Sequence, residues 1–98
     1  MARQVIFSKK AVRQIDTVAA YLEEHFSLDT AQSFLKKVVA LQPKMADYPE
    51  TGRPTAINSR IRYLHIDDHR ILFYQHDDER VKVMAMFDTR QDPAKRPH

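Results

Sequence analysis

The sequence has no cysteine, no tryptophan and a single glycine, Gly52. Without cysteine there is neither a disulfide nor thiol chemistry, which suits a reducing compartment, and a cytoplasmic location is expected. One glycine supplies few φ > 0 positions. A many-turned sandwich or barrel is therefore disfavoured, and a few long elements with few connections are expected. No apolar run approaches the roughly 20 residues that cross a bilayer. Met1-Ala2-Arg3-Gln4-Val5 leads into no apolar signal core, so neither a membrane partner nor a secretory leader is expected. Ser/Gly linkers, repeats and cofactor motifs are missing too.

The remaining composition is that of an ordinary folded domain. The 98 residues are 43% hydrophobic and 30% charged, consistent with one domain over residues 1–98. A formal net charge of +3 permits an acidic partner, such as nucleic acid or an acidic peptide, without demanding one.

Val5-Ile6-Phe7 is a short apolar run that predicts a first strand, and Ser8 is placed to cap a helix. Val12, Ile15, Ala19, Leu22 and Phe26 form one apolar helix stripe. After Ser27-Leu28-Asp29, Ala31, Phe34, Val38, Leu41 and Met45 form a second. Two such helices joined by so short a break predict an antiparallel helical hairpin. Pro43, inside the second stripe, is expected to kink or end that helix early. In Tyr48-Pro49-Glu50-Thr51-Gly52-Arg53-Pro54, Gly52 is expected to supply a φ > 0 turn that the prolines stiffen.

From Arg60 the apolar period becomes two. Arg60 to Ile66 predicts a strand with Ile61, Tyr63 and His65 on one face and Arg62, Leu64 and Ile66 on the other. Asp67-Asp68 predicts a turn, His69 to His76 a second strand, and Asp77-Asp78-Glu79 another turn. Val81, Val83, Ala85 and Phe87 then mark one face of a third strand. Asp88 begins a polar tail with Pro93 and Pro97. The expected fold is α+β: an N-terminal strand, a helical hairpin, then a three-stranded antiparallel meander with helices on one face. Arg62 and Arg70 are candidates for the open face, subject to the sheet register.

Four stretches carry a resemblance. Ser8-Lys9-Lys10-Ala11 opens the first helix. Ala46-Asp47-Tyr48-Pro49-Glu50-Thr51-Gly52-Arg53-Pro54 follows the second. His69-Arg70-Ile71-Leu72-Phe73-Tyr74 lies on the central strand, and Phe87-Asp88-Thr89-Arg90-Gln91-Asp92-Pro93 closes the domain. In this order, over almost the full length, the chain resembles the RelE/ParE superfamily. Its members are toxins of bacterial type II toxin–antitoxin modules, also labelled plasmid stabilisation proteins. The resemblance implies a RelE/ParE-like fold, no cofactor, a cognate antitoxin and a toxin–antitoxin hetero-oligomer. It offers two targets. RelE-like members cleave messenger RNA on the ribosome, and ParE-like members inhibit DNA gyrase.

RNA cleavage of the RelE kind requires a general base, a general acid and cations for the developing phosphate charge. RelE-like members carry a Tyr or His near the end of the last strand. Here that stretch reads Phe87-Asp88-Thr89-Arg90. Phe87 transfers no proton, and an ordinary Asp is a weak base at neutral pH. The expected function is therefore ParE-like growth inhibition by stoichiometric binding to gyrase, trapping it on cleaved DNA. One alternative is a ribosome-dependent endoribonuclease in which Arg62, Arg70 and Arg90 stabilise charge and His65 or His69 moves protons. Another is a non-toxic, repurposed binding module.

Arg60, Arg62, Arg70, Lys82 and Arg90 are the candidate target- or antitoxin-binding cations. Each has a structural alternative. Arg70 could pair with Asp67, Asp68 or Asp88, and Arg90 with Asp88 or Asp92. Arg60, Arg62 and Lys82 could simply alternate on a solvated strand. His65, His69 and His76 could be solvated rim residues, and with Asp67-Asp68 they match no standard metal-ligand spacing. Tyr63, Phe73, Tyr74 and Phe87 read as core. An antitoxin is expected to bind through a disordered acidic segment that folds on contact, adding a strand or docking a helix on the hairpin.

Overall fold

In the computed structural model, residues 2–90 are described. The end of the closing motif, the tail prolines and the proposed Asp92 pairing fall outside them. The chain runs β1 (Gln4–Phe7), α1 (Lys9–His25), α2 (Leu28–Asp47), a 3-10 turn (Pro49–Thr51), β2 (Arg53–Pro54), β3 (Arg62–His65), β4 (Arg70–His76) and β5 (Arg80–Asp88). One sheet holds all five strands in the order β1-β5-β4-β3-β2. β1 lies parallel to β5, and the other pairings are antiparallel. This is the expected strand, hairpin and meander with one addition. Arg53 and Pro54 pair with Tyr63 and Arg62 as a short edge strand, a position where proline's missing N–H is tolerated.

Ser8 caps α1 as expected, its Oγ accepting from the Ala11 N–H at 3.0 Å. The same hydroxyl donates to the Met84 carbonyl at 2.7 Å, and the Ser8 N–H donates to the Val83 carbonyl at 2.9 Å. These bonds anchor the helix start on β5 and turn Ala11, rather than Val12, into the core. The expected stripe is corrected at both ends. Val12 is exposed, and Phe26 lies past the helix end in solvent. Ile15 and Leu22 are buried. Ser27 caps α2 through the Thr30 N–H at 3.1 Å.

All five residues of the second stripe are buried. α2 nonetheless runs through Pro43 to Asp47 instead of stopping. Proline removes only the bond to the carbonyl four residues back, on Val39, and Val39 is solvent-exposed, where water can serve that carbonyl. No described helix is long and apolar enough to cross a membrane.

The sheet has an apolar cluster on each side. Leu72, Tyr74, Val81, Val83 and Met86 pack with the helix stripes, joined by Leu64 and Ile66. Ile71, Phe73, Ala85 and Phe87 cluster on the other face with Ile61 and Tyr63. Val81, Val83, Ala85 and Phe87 therefore do not share one face as expected. Phe73 pairs with Ala85 but Tyr74 pairs with Val83, which leaves Met84 as the extra residue of a β-bulge. One inserted residue reverses the alternation downstream.

Gly52 also departs from expectation. Its φ of −73° and ψ of 154° are open to any residue. What excludes a side chain is proximity, since a Cβ here would lie 2.8 Å from Tyr74 Cε1 and collide with the Tyr74 hydroxyl.

Candidate functional site

β4 outruns its neighbour. Its last pairing with β3 is Tyr74 with Arg62, whereas Gln75 and His76 continue against Lys82 and Val81 of β5. The chain before Arg62 is folded back on itself. Thr55 Oγ1 donates to the Asn58 carbonyl at 2.6 Å, and Asn58 Oδ1 accepts from the Arg60 N–H at 3.0 Å. The result is a groove of about 540 Å³ lined by Ser59, Arg60, Arg62, Gln75, His76, Asp77, Arg80 and Lys82.

Asp77 is the sole carboxylate in that lining, and it is already engaged. Its Oδ1 accepts from the Glu79 and Arg80 N–H groups, both at 2.8 Å, and these bonds hold its carboxyl below the usual range. Arg3 approaches from outside, its Nε donating to the Asp77 carbonyl at 2.6 Å. Arg62 is partly immobilised, since its Nη1 donates to the Gly52 carbonyl at 2.7 Å and the Glu50 carbonyl at 3.3 Å. His76 Nδ1 is buried with no hydrogen-bond partner among the described residues.

The groove thus gathers Arg60, Arg62 and Lys82 from the predicted set. It adds Arg80, Gln75 and His76, which sequence reasoning did not single out as binding residues. The available signal was Arg80 and Lys82 two residues apart on one strand, a spacing that places both cations on the same face.

Arg70 and Arg90 lie at the opposite end of the sheet. Arg70 does not occupy the open face. It alternates with Leu72 and Tyr74 on the helix side, its side chain only 11% exposed. Arg62, alternating with Leu64, belongs to the same side. The Arg70 guanidinium sits 5.4 Å from the centre of the Phe34 ring, and Nη1 donates to Asp67 Oδ2 at 2.9 Å. The other Asp67 oxygen accepts from the His69 and Arg70 N–H groups, each at 2.9 Å. Burial pushes the Asp67 carboxyl up, but these hydrogen bonds and the adjacent guanidinium outweigh it and hold the pKa below the usual range.

Arg90 grips Asp88 with a fork, Nε to Oδ1 at 3.1 Å and Nη2 to Oδ2 at 2.8 Å. That hydrogen bonding lowers the Asp88 pKa and raises the Arg90 pKa. The Arg90 side chain stays 56% exposed.

His65 is exposed on the face away from the helices, 6.0 Å edge-on from Tyr63. Both border a cavity of about 330 Å³ that includes Thr55, Ile71 and Thr89. His69 lies exposed in the β3–β4 turn, and its carbonyl accepts from the Thr89 N–H at 2.6 Å. The candidate catalytic set is therefore dispersed. Arg62 is at one end of the sheet, Arg70 and Arg90 are at the other, and His65 is on the reverse face from Arg70. Among the described residues, no three His, Asp or Glu side chains come together in a way that could hold a metal ion.

A family model described as the ParE toxin of type II toxin–antitoxin systems, parDE, matches residues 5–93. The chain belongs to the ParE toxin family. Solved structures agree on the fold. The chromosomal ParDE system from P. aeruginosa contains a chain that superposes on this ParE-family protein with a TM-score of 0.75 at 11% identity, covering 89% of this chain and 96% of that one. The YoeB dimer from Staphylococcus aureus gives 0.63 at 15% identity, with coverages of 87% and 94%. The E. coli DinJ–YafQ complex gives 0.60 at 15% identity, with coverages of 90% and 93%. No curated protein matches the chain by sequence. In this ParE-family protein the described part of the closing motif holds the Asp88–Arg90 fork, and the central strand starts at Arg70, paired with Asp67 of the preceding turn.

Proposed function

We propose that this ParE-family protein arrests growth by stoichiometric binding to DNA gyrase, trapping the enzyme on cleaved DNA, and that a cognate antitoxin neutralises it in a hetero-oligomer. The observation that carries the reading is the fork of Arg90 on Asp88. At the position where RelE-like toxins place a proton-transferring Tyr or His stands a carboxylate held ionised by its neighbour. It is a poor proton carrier at neutral pH. The separation of His65 from Arg70 across the sheet supports the same reading.

In this proposal Arg60, Arg62 and Lys82 face the target or the antitoxin, and half-exposed Arg90 adds a contact at the far end. Arg70 acts by holding the β3–β4 hairpin. Leu35, Val39 and Ala40 leave an apolar groove of about 520 Å³ on α2, which is assigned to an antitoxin helix. A gyrase partner places the protein in the cytoplasm.

A supercoiling assay tests the target. The purified protein is expected to leave gyrase-bound, cleaved DNA at molar excess, and unimpaired supercoiling overturns the reading. Expression without its antitoxin is expected to stop growth. Unaffected growth points instead to a non-toxic binding module.

One observation favours a second reading as an endoribonuclease, namely His65 standing beside Tyr63 at an open cavity. Under it, arrested cells contain cut messenger RNA and His65→Ala abolishes cutting without unfolding the protein. Intact transcripts during arrest exclude it.

A further inference from the structure

The groove at the end of β3 carries more than its share of the protein's positive charge. Arg60, Arg62, Arg80 and Lys82 line it against one carboxylate, Asp77, whose Oδ1 is already taken by two backbone N–H groups. Asp78 and Glu79 belong to the adjoining turn and do not line it. Among the described residues, none of Arg60, Arg80 and Lys82 forms an ion pair. Like charges held close without partners repel one another, and a bound polyanion relieves that repulsion.

We infer that this groove binds the phosphodiester backbone of duplex DNA, without regard to base sequence. The lining selects among polyanions. No apolar side chain is present in it, and its one aromatic ring is the half-buried imidazole of His76. An acidic peptide that folds on binding needs apolar anchors, and a single-stranded nucleic acid needs aromatic platforms for its bases. Phosphate oxygens need only cations and neutral donors. The Ser59 hydroxyl and the Gln75 amide supply the donors.

The dimensions agree. β3 and β5 flank β4, so the Arg62 and Lys82 backbones stand two strand spacings apart, about 10 Å, with Arg62 leaving on the helix side and Lys82, which alternates with Val81 and Val83, on the other. A duplex presents one phosphate per about 1.7 Å of its axis, enough for Arg60, Arg80 and Lys82 each to meet one, while Arg62 is held by the Gly52 and Glu50 carbonyls. The inference stands apart from the gyrase proposal and needs no enzyme to be tested.

The test is fluorescence anisotropy of the full-length protein on a short labelled DNA duplex, with salt varied between about 50 and 200 mM. Three neutralised phosphates, one each for Arg60, Arg80 and Lys82, give a plot of log K against log salt with a slope of about −2.7, at about 0.9 per contact. The double variant Arg80→Ala/Lys82→Ala is expected to fold and to reduce that slope to about −0.9. The single variants Lys82→Gln and Arg80→Gln each remove about 0.9, and they decide the matter if the double variant does not fold. Lys36→Ala, an exposed cation on α2, controls for net charge and leaves the slope unchanged.

The inference is overturned if the groove variants behave as Lys36→Ala does. Tighter binding to single-stranded RNA of equal length overturns it, as does equal competition by polyglutamate. A failed supercoiling assay with intact, groove-dependent DNA binding removes the gyrase proposal and leaves this one standing.

Discussion

The Tyr74 hydroxyl donates to the Pro49 carbonyl at 2.5 Å and accepts from the Gly52 N–H at 3.0 Å. One side chain of β4 thereby ties both sides of the turn that carries the chain from α2 into the sheet. The ring is fully buried, and burial raises the phenol pKa above its ordinary value. Arg62 completes the clamp through the Gly52 and Glu50 carbonyls, so the same turn fixes one wall of the basic groove.

This arrangement makes Gly52 a steric requirement of Tyr74. Gly52→Ala is expected to lose about 1–3 kcal/mol through overpacking. Tyr74→Phe is expected to lose about 1–3 kcal/mol, because it strands a buried N–H and a buried carbonyl. The two share one contact, so the double variant should lose less than the sum. Urea denaturation of the four proteins measures the coupling, and strict additivity would show that the contact is not shared.

The bulge on β5 gives a second prediction. Its extra residue, Met84, is bonded through its carbonyl to Ser8 Oγ, and the Met86 N–H donates to Gln14 Oε1 at 2.8 Å. α1 therefore braces the irregular stretch from both sides. Ser8→Ala removes the helix cap and a sheet contact together and should cost about 1–2 kcal/mol. Gln14→Ala should cost a similar amount, about 1–2 kcal/mol, by stranding the Met86 N–H. Chemical denaturation tests both. Values near zero for each would mean that the bulge holds without the helix.

These features separate what can be read from the sequence from what cannot. The α2 stripe was legible because helical spacing is local, and Phe34, Val38 and Leu41 are all buried where that spacing puts them. The face change on β5 was not legible. It arises from a residue that has no partner on β4, a fact of pairing rather than of pattern. Arg70 was recognisable as unusual at the start of an apolar strand. Its burial depends on Asp67 from a turn and Phe34 from a helix meeting it there. The basic groove was half legible. Its cations stand out in the sequence, but the notch exists only because β3 begins at Arg62 while β4 continues to His76.

Arg70 is predicted to be a stability residue first. Arg70→Ala leaves the Asp67 carboxylate without its guanidinium and uncovers Phe34. The expected loss is about 3 kcal/mol, the low end for a buried pair because Asp67 keeps some contact with solvent. Arg70→Lys keeps the charge but not the planar guanidinium beside the Phe34 ring, and should fall between wild type and alanine. Arg90→Ala, which breaks an exposed pair, should barely move the denaturation midpoint. If Arg70→Ala were as stable as wild type, the pair would not be holding the hairpin.

Acid should weaken the fold through the same carboxylate. The Asp67 pKa is lower in the folded protein than in the unfolded chain, where it is about 3.9. A depressed folded value means that the stabilisation is fully present above about pH 4 and disappears as the pH falls through the folded value. Asp77 and Asp88 are depressed as well, so the wild-type acid limb sums several groups. Comparison with Asp67→Asn isolates one of them, because the other two are common to both proteins. The variant should melt at a lower temperature at neutral pH and lose less on acidification. The two curves should converge once the pH falls below the folded pKa of Asp67, where the carboxyl is protonated and no longer pairs with Arg70. Melting followed by circular dichroism across this range decides the point. Parallel curves would mean that folding leaves the Asp67 carboxyl at its ordinary value.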